Sequence, residues 1–292
     1  MQPRHPLGHL LWRGGVAAVS NALMFTGLYP GVPHAWRALV HHDLGDRPVR
    51  TAFVEWGLAM LLSATRPVGF LPLPGARTIG PRPIIVLHGY AMNRANFVPL
   101  ACRLARAGLG PVFGFEYWTL GRTASAARRL ARFVDEVRAA TGAAEVDLIG
   151  HSMGGVVGRY YVALAGGDGA VAHLITIGSP HSGTELSAVG IGRPTRELVL
   201  DSAMLTRLAA APPPPRTRIT IVWSRGDALV PGARQRAVPG AEVLMYPDLG
   251  HVALLASRRV ARDVIARLSA PASAPPLSAP PRTASPSSPA RS

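Results

Sequence analysis

The chain has 292 residues, 48% of them apolar, a formal charge of +15 and a single cysteine. That length and apolar content are enough for one large domain with appendages. The lone Cys102 excludes an internal disulfide framework and a cysteine-built metal cluster, and the lack of disulfides permits a cytoplasmic location. The charge does not mark a nucleic-acid binder. Lysine is absent, asparagine is scarce, Ala, Gly, Pro and Arg abound, and the arginines are scattered rather than blocked. This is the pattern of a GC-rich coding bias rather than a polyanion footprint, although weak attraction to an anionic membrane surface stays open.

The first 75 residues differ from the rest. Residues 14–33 carry no charged side chain, with Arg4 and Arg13 before them and Arg37 after. The run is about as long as the roughly 20 residues of a membrane span. Gly14, Gly15, Ser20, Asn21, Thr26 and Gly27 dilute it. A second apolar stretch, Trp56 to Leu73, is interrupted by Arg66-Pro67, which argues against two full spans. No small-x-small site follows the first run, so a cleaved signal peptide is not expected. Three readings stand side by side: an uncleaved anchor, a helical hairpin lying in the interface, or apolar helices packed on the body that follows. Residues 1–75 are therefore read as an apolar helical extension and a candidate membrane anchor. The chain is membrane-associated through it, or cytoplasmic.

Leu71-Pro72-Leu73-Pro74-Gly75 reads as a linker, and residues 76–269 as the main body. Ile84 to Leu87 is a continuous apolar run of the kind buried parallel strands use. Residues 94–108 read as a helix closed by Gly108. Val112 to Phe115 is a strand, and Thr123 to Thr141 a long amphipathic helix. The strand at Val146 to Ile149 is followed by a helix from Met153 to Leu164. His173 to Ile177, Ile219 to Trp223 and Glu242 to Met245 are further strands, and Val252 to Leu268 is a closing helix. Strands alternating with helices imply an α/β fold: a mostly parallel sheet with helices on both faces. The interval 182–215 is long for such a connection, carries a helical pattern near Glu197 to Ala211 and ends in Pro212 to Pro215. It is a candidate lid or a surface excursion. Residues 270–292, of Pro, Ser, Ala and Arg, are expected to be disordered.

Between the third strand and its helix lies Gly150-His151-Ser152-Met153-Gly154. A G-x-S-x-G sequence means little in an ordinary loop. Between a strand and a helix it becomes a sharp elbow that holds a serine hydroxyl exposed at its tip. Ser152 is then a candidate nucleophile, which needs a base to take its proton and a carboxylate to hold that base. At such elbows the acid and then the base follow the serine in the chain. Asp227 falls just after the strand Ile219 to Trp223, and His251 just after the last strand. Both sit at strand ends on the side where the elbow points.

The rivals are weaker. Asp248 lies in the same loop as His251 and reads as a turn aspartate, and Asp201 as a helix N-cap. His181 follows Ser179-Pro180 and precedes the acid, His151 points away from the serine, and His173 reads as a strand-edge residue. An oxyanion needs two aimed donors. The backbone N–H of Met153 is one. The other is expected from the loop His88-Gly89-Tyr90, where Gly89 allows close approach and the N–H of Tyr90 is the candidate. His88 reads as a structural residue of that loop.

His88-Gly89-Tyr90, Gly150 to Gly155, Thr176-Ile177-Gly178-Ser179-Pro180-His181-Ser182-Gly183-Thr184 and Leu249-Gly250-His251 together resemble the α/β-hydrolase superfamily, specifically bacterial triacylglycerol lipases and related esterases. The resemblance covers about residues 80–268. It implies an α/β-hydrolase catalytic domain, a triad of Ser152, Asp227 and His251, and an oxyanion hole of the Tyr90 and Met153 amides. It also implies ester hydrolysis without an organic cofactor, by way of an acyl-enzyme. The apolar lid region and strand ends that would line the pocket point to apolar acyl esters, small molecules or lipids, as substrate. An acyltransferase with the same triad is the alternative, and a non-catalytic scaffold of this fold a third reading. Some lipases of this kind carry a disulfide or calcium. This chain cannot form the former internally, and no aspartate pair is assigned to the latter, so no metal is expected.

Overall fold

Short runs of β-branched and large aliphatic residues, buried on both faces, build the centre of the molecule. The computed structural model describes residues 71–184, 192–230, 232 and 238–270, with positions 54, 57, 58, 61 and 69. The strands are β1 (Ile84–Leu87), β2 (Val112–Phe115), β3 (Val146–His151), β4 (Val171–Ile177), β5 (Arg218–Ser224) and β6 (Glu242–Tyr246). They form one six-stranded sheet in the order β2-β1-β3-β4-β5-β6, and every pairing is parallel. The chain steps outward from β1 to β2, then returns to lay β3 on the other side of β1. That reversal opens a crevice beyond the carboxyl ends of β1 and β3, where open α/β sheets place their ligands.

The helices are α1 (Val98–Arg106), α2 (Thr123–Thr141), α3 (Met153–Leu164), α4 (Pro194–Glu197), α5 (Ala203–Ala209), α6 (Ala253–Ala256) and α7 (Arg258–Ser269). Alternation along the strands sorts the sheet into two cores. Ile85, Leu87, Leu148, Leu174 and Ile221 face α2, α3 and α5. Ile84, Val86, Ile149, Ile175, Ile177 and Val222 face α1, α6 and α7. In α2 the buried positions Ala126, Ala127, Leu130, Val134 and Val137 fall at helical spacing. Its first amide, Thr123 N, donates to Glu197 Oε2 at 2.7 Å, so a carboxylate from α4 sits at the positive end of its dipole.

Several elements differ from expectation for local reasons. The helix expected over 94–108 begins as a 3-10 turn, Arg94–Phe97, with a reciprocal cap between Asn93 and Asn96. The helical pattern near 197–211 divides into α4 and α5. Ser202, not Asp201, caps α5, its Oγ accepting from Leu205 N at 3.3 Å. The closing helix breaks at Ser257, which turns extended and caps α7. Segment 71–75, expected as a linker, is packed: Leu73 is buried in the second core, and Gly75 O accepts from Val112 N at 3.0 Å. The apolar run 14–33 and the tail from 271 lie outside the described residues, as do most positions between 56 and 70 and part of the 182–215 interval. Among the described residues, no helix is long and apolar enough to cross a membrane.

Candidate active site

The turn from β3 into α3 is as sharp as its sequence implies. Ser152 stands between them at φ 53°, ψ −127°, a conformation that strains any residue with a Cβ by about 1–3 kcal/mol. It is held there by its own amide, which donates to Ile177 O at 2.8 Å, and by Gly155 N, which donates to Ser152 O at 3.0 Å. Strand and helix cross so closely that a Cβ on Gly154 would lie 2.2 Å from Leu87 O. Ser152 is partly exposed, while His151 and Met153 on either side are buried.

The structure brings Asp227 and His251 together from two different strand ends. His251 Nδ1 donates to Asp227 Oδ2 at 2.8 Å, with both residues almost wholly buried. The other carboxylate oxygen, Oδ1, accepts from Leu229 N and Val230 N, both at 3.0 Å. The carboxylate is thus fixed at both oxygens, and the imidazole presents its Nδ1 proton to it. The turn after β4 lies directly against this pair: a Cβ on Gly178 would sit 3.2 Å from both Asp227 Oδ2 and His251 Nδ1. Gly178 has φ 58° and donates to Val222 O at 2.9 Å.

The loop after β1 closes the opposite wall. A Cβ on Gly89 would come within 3.0 Å of Ser152 Cβ, so that loop and the serine touch. Tyr90 follows, part-buried against the first core, and Met153 opens α3. The loop is braced throughout. His88 Nδ1 donates to Gly89 O at 3.0 Å, Met92 N to Gly89 O at 3.2 Å, Ala91 N to Thr119 Oγ1 at 3.2 Å, and Tyr117 OH to His88 O at 2.6 Å. His88 stacks on Tyr117 and lies 3.3 Å from Glu116 Oε2. Burial opposes charge on Glu116. The His88 ring, the Arg94 amide and the Arg94 guanidinium outweigh it and hold the carboxyl below the ordinary range.

The remaining histidines are engaged elsewhere. His181 Nε2 bonds Thr176 Oγ1 at 2.9 Å, and burial, then Arg159, push its pKa down to about 3. His173 lies inside β4 and not at a sheet edge. It is buried, bonds Thr220 Oγ1 at 2.8 Å, and is pushed down to about 3 by burial and neighbouring arginines. His151 is buried beside Ser152, and its ring packs on that of His251. Asp248 pairs with Arg259 at 2.6 Å on the surface. Among the described residues, no group of three or more His, Cys, Asp or Glu is arranged to hold a metal.

Two residues of the site escaped the sequence. Ser224 Oγ accepts from both Gly226 N and Leu249 N, joining the loop of Asp227 to that of His251. Arg159, buried in α3, donates to Leu208 O at 3.1 Å and His181 O at 3.4 Å, tying α5 to the turn after β4. Neither residue type in isolation signals such a role.

Residues 82–193 match the model of the alpha/beta hydrolase fold family. The structure superposes on a mature lipase of Bacillus licheniformis with a TM-score of 0.56, over 64% of this chain and 91% of that one, at 16% identity. The chain has the α/β-hydrolase fold. A phospholipase of Legionella pneumophila shares it, with a TM-score of 0.57 over 66% of this chain and 60% of its own, at 15% identity. In sequence, the chain is similar to triacylglycerol lipases of Pseudarthrobacter phenanthrenivorans and Burkholderia plantarii. Each is 49% identical over 59 residues, which is 20% of this chain and 18% or 16% of theirs. The matched stretch therefore spans less than a fifth of either relative.

Proposed function

We propose that the chain is a serine ester hydrolase, lipase- or esterase-like, acting on apolar acyl esters with Ser152 as nucleophile, His251 as base and Asp227 as orienting acid. The observation that carries this reading is the buried 2.8 Å bond between His251 Nδ1 and Asp227 Oδ2, at the same end of the sheet as the strained, partly exposed Ser152. Similarity to lipases over 59 residues supports the substrate class.

Ser152 Oγ attacks the acyl carbonyl carbon while His251 Nε2 takes the hydroxyl proton. The imidazolium formed is held in place and stabilised by Asp227. The carbonyl oxygen becomes an oxyanion, to which the N–H groups of Met153 and Tyr90 donate. One such donor contributes about 10²–10³ in kcat in known examples. The tetrahedral intermediate collapses, His251 returns the proton to the departing alcohol, and an acyl ester of Ser152 remains. Water, deprotonated by His251, repeats the sequence and releases the acid. Residues 192–209, anchored through Arg193 N to Leu120 O (3.0 Å), Thr184 N to Leu198 O (2.8 Å) and Arg159, are proposed to cover the acyl pocket.

The test is hydrolysis of p-nitrophenyl esters of increasing acyl length by the wild type and by Ser152→Ala. The reading expects chain-length-dependent turnover that the variant loses while its circular dichroism is unchanged. Equal turnover by both proteins would overturn it.

A further inference from the structure

The elbow carries two neighbouring side chains of different exposure. Ser152 is partly exposed. His151, the last residue of β3, is wholly buried. Its Nε2 lies 3.1 Å from the carbonyl oxygen of His251, and a carbonyl can only accept, so Nε2 carries the proton. The two rings lie 4.6 Å apart at 50°.

We propose that His151 is a positioning residue for His251, fixing the peptide plane of the base by its Nε2–H bond and its ring orientation by packing. Ser152 and His251 then share one rigid support, because β3 holds the nucleophile through its backbone and the base through the side chain next to it. This role presupposes the serine-hydrolase reading.

The identity of the group matters because His251 must become an imidazolium in each half-reaction. The titratable groups around His151 are His251 in the loop after β6 and His88 at the end of β1, and Asp227 faces His251 from the loop after β5. Burial, then a charge on His251, holds His151 far below the ordinary imidazole range, although the bond to the His251 carbonyl works the other way. His151 Nδ1 has no hydrogen-bond partner among the described residues, consistent with a lone pair rather than a second proton. A neutral ring thus lies against the nascent cation, and a second charge at 4.6 Å is avoided.

The experiment compares His151→Phe, which keeps a ring and loses the donor, with His151→Gln, whose amide restores a donor at a similar reach. kcat, KM, the pH dependence of kcat/KM and thermal midpoints are measured on the full chain, with Ser152→Ala beside them. His151→Phe is expected to lose at least tenfold in kcat with KM within about twofold and to shift the acid limb of the profile. His151→Gln is expected to stay within about threefold of wild type, at a thermal midpoint no higher than that of the Phe variant. Wild-type kinetics and an unshifted profile in His151→Phe would overturn the role of His151 while leaving the serine mechanism standing, as would equal losses in both variants. Activity surviving in Ser152→Ala would overturn the serine reading and this role with it.

Discussion

Ser224 Oγ accepts a hydrogen bond from the amide of Leu249 at 3.0 Å, two residues before His251, and another from Gly226 at 3.1 Å, one residue before Asp227. The last side chain of β5 therefore joins the two loops that carry Asp227 and His251. Removing the hydroxyl leaves two amides without this acceptor, one of them fully buried, each costing about 1–3 kcal/mol. Ser224→Ala is expected to lower stability in urea by a few kcal/mol and kcat/KM by about tenfold. An unchanged kcat/KM would show that the loops hold their spacing without it.

Gly178 offers a steric test of the same pair. At φ 58°, an alanine is strained by about 1–2 kcal/mol, and its methyl would press on Asp227 Oδ2 and His251 Nδ1 at 3.2 Å. Gly178→Ala is expected to reduce kcat/KM by tenfold or more with a modest loss of thermal midpoint. A stability loss with unchanged turnover would place the strain in the backbone alone.

How much of this was legible in the sequence depended on how local the signal was. The boundaries of β1, β2, α2 and α3 follow from short apolar runs and helical spacing, and Ser152 from glycines that only a tight elbow requires. The strand ends that place Asp227 and His251 were also legible, because a parallel sheet collects them on one side. Ser224, Arg159 and the packing of His151 on His251 were not. Each depends on contacts across 25, 49 and 100 residues, respectively, with no periodicity to mark them. The break at Ser257 was hidden because α6 and α7 share an apolar pattern, and only the cap separates them. Asp201 lost the cap of α5 to its neighbour because it adopts φ 56°, outside the extended conformation that Ser202 uses.

Buried neutral histidines make stability pH-dependent. His173 and His181 have pKa values of about 3 in the fold, against about 6.5 unfolded. Below pH 6.5 the unfolded chain binds protons that the folded one refuses. The stability each contributes is therefore complete above pH 6.5 and falls as pH drops toward 3, by up to about 1.4 kcal/mol per unit. Asp147, raised to about 6 chiefly by burial and despite Arg82, acts in the opposite sense: its contribution is lost as pH rises from 3.8 to 6. The difference between variants isolates the histidine. His173→Gln is expected to flatten the slope of urea stability between pH 6.5 and 5 by about one proton. An unaltered slope would mean that His173 is protonated in the fold.

Arg159 is buried and donates to two carbonyls from different segments. Arg159→Met keeps much of its volume but orphans Leu208 O and His181 O. It is expected to destabilise by about 2–4 kcal/mol and to speed proteolytic cleavage within 192–211. Cleavage at the wild-type rate would show that α5 is held without this arginine.

The account stands on a covalent step at Ser152, and intact mass measurement after treatment with an activated phosphonate ester tests that step most directly. It predicts a single adduct, mapped to Ser152, absent in Ser152→Ala and formed far more slowly in His251→Ala. No adduct on the wild-type chain, or an adduct that persists in Ser152→Ala, would contradict it.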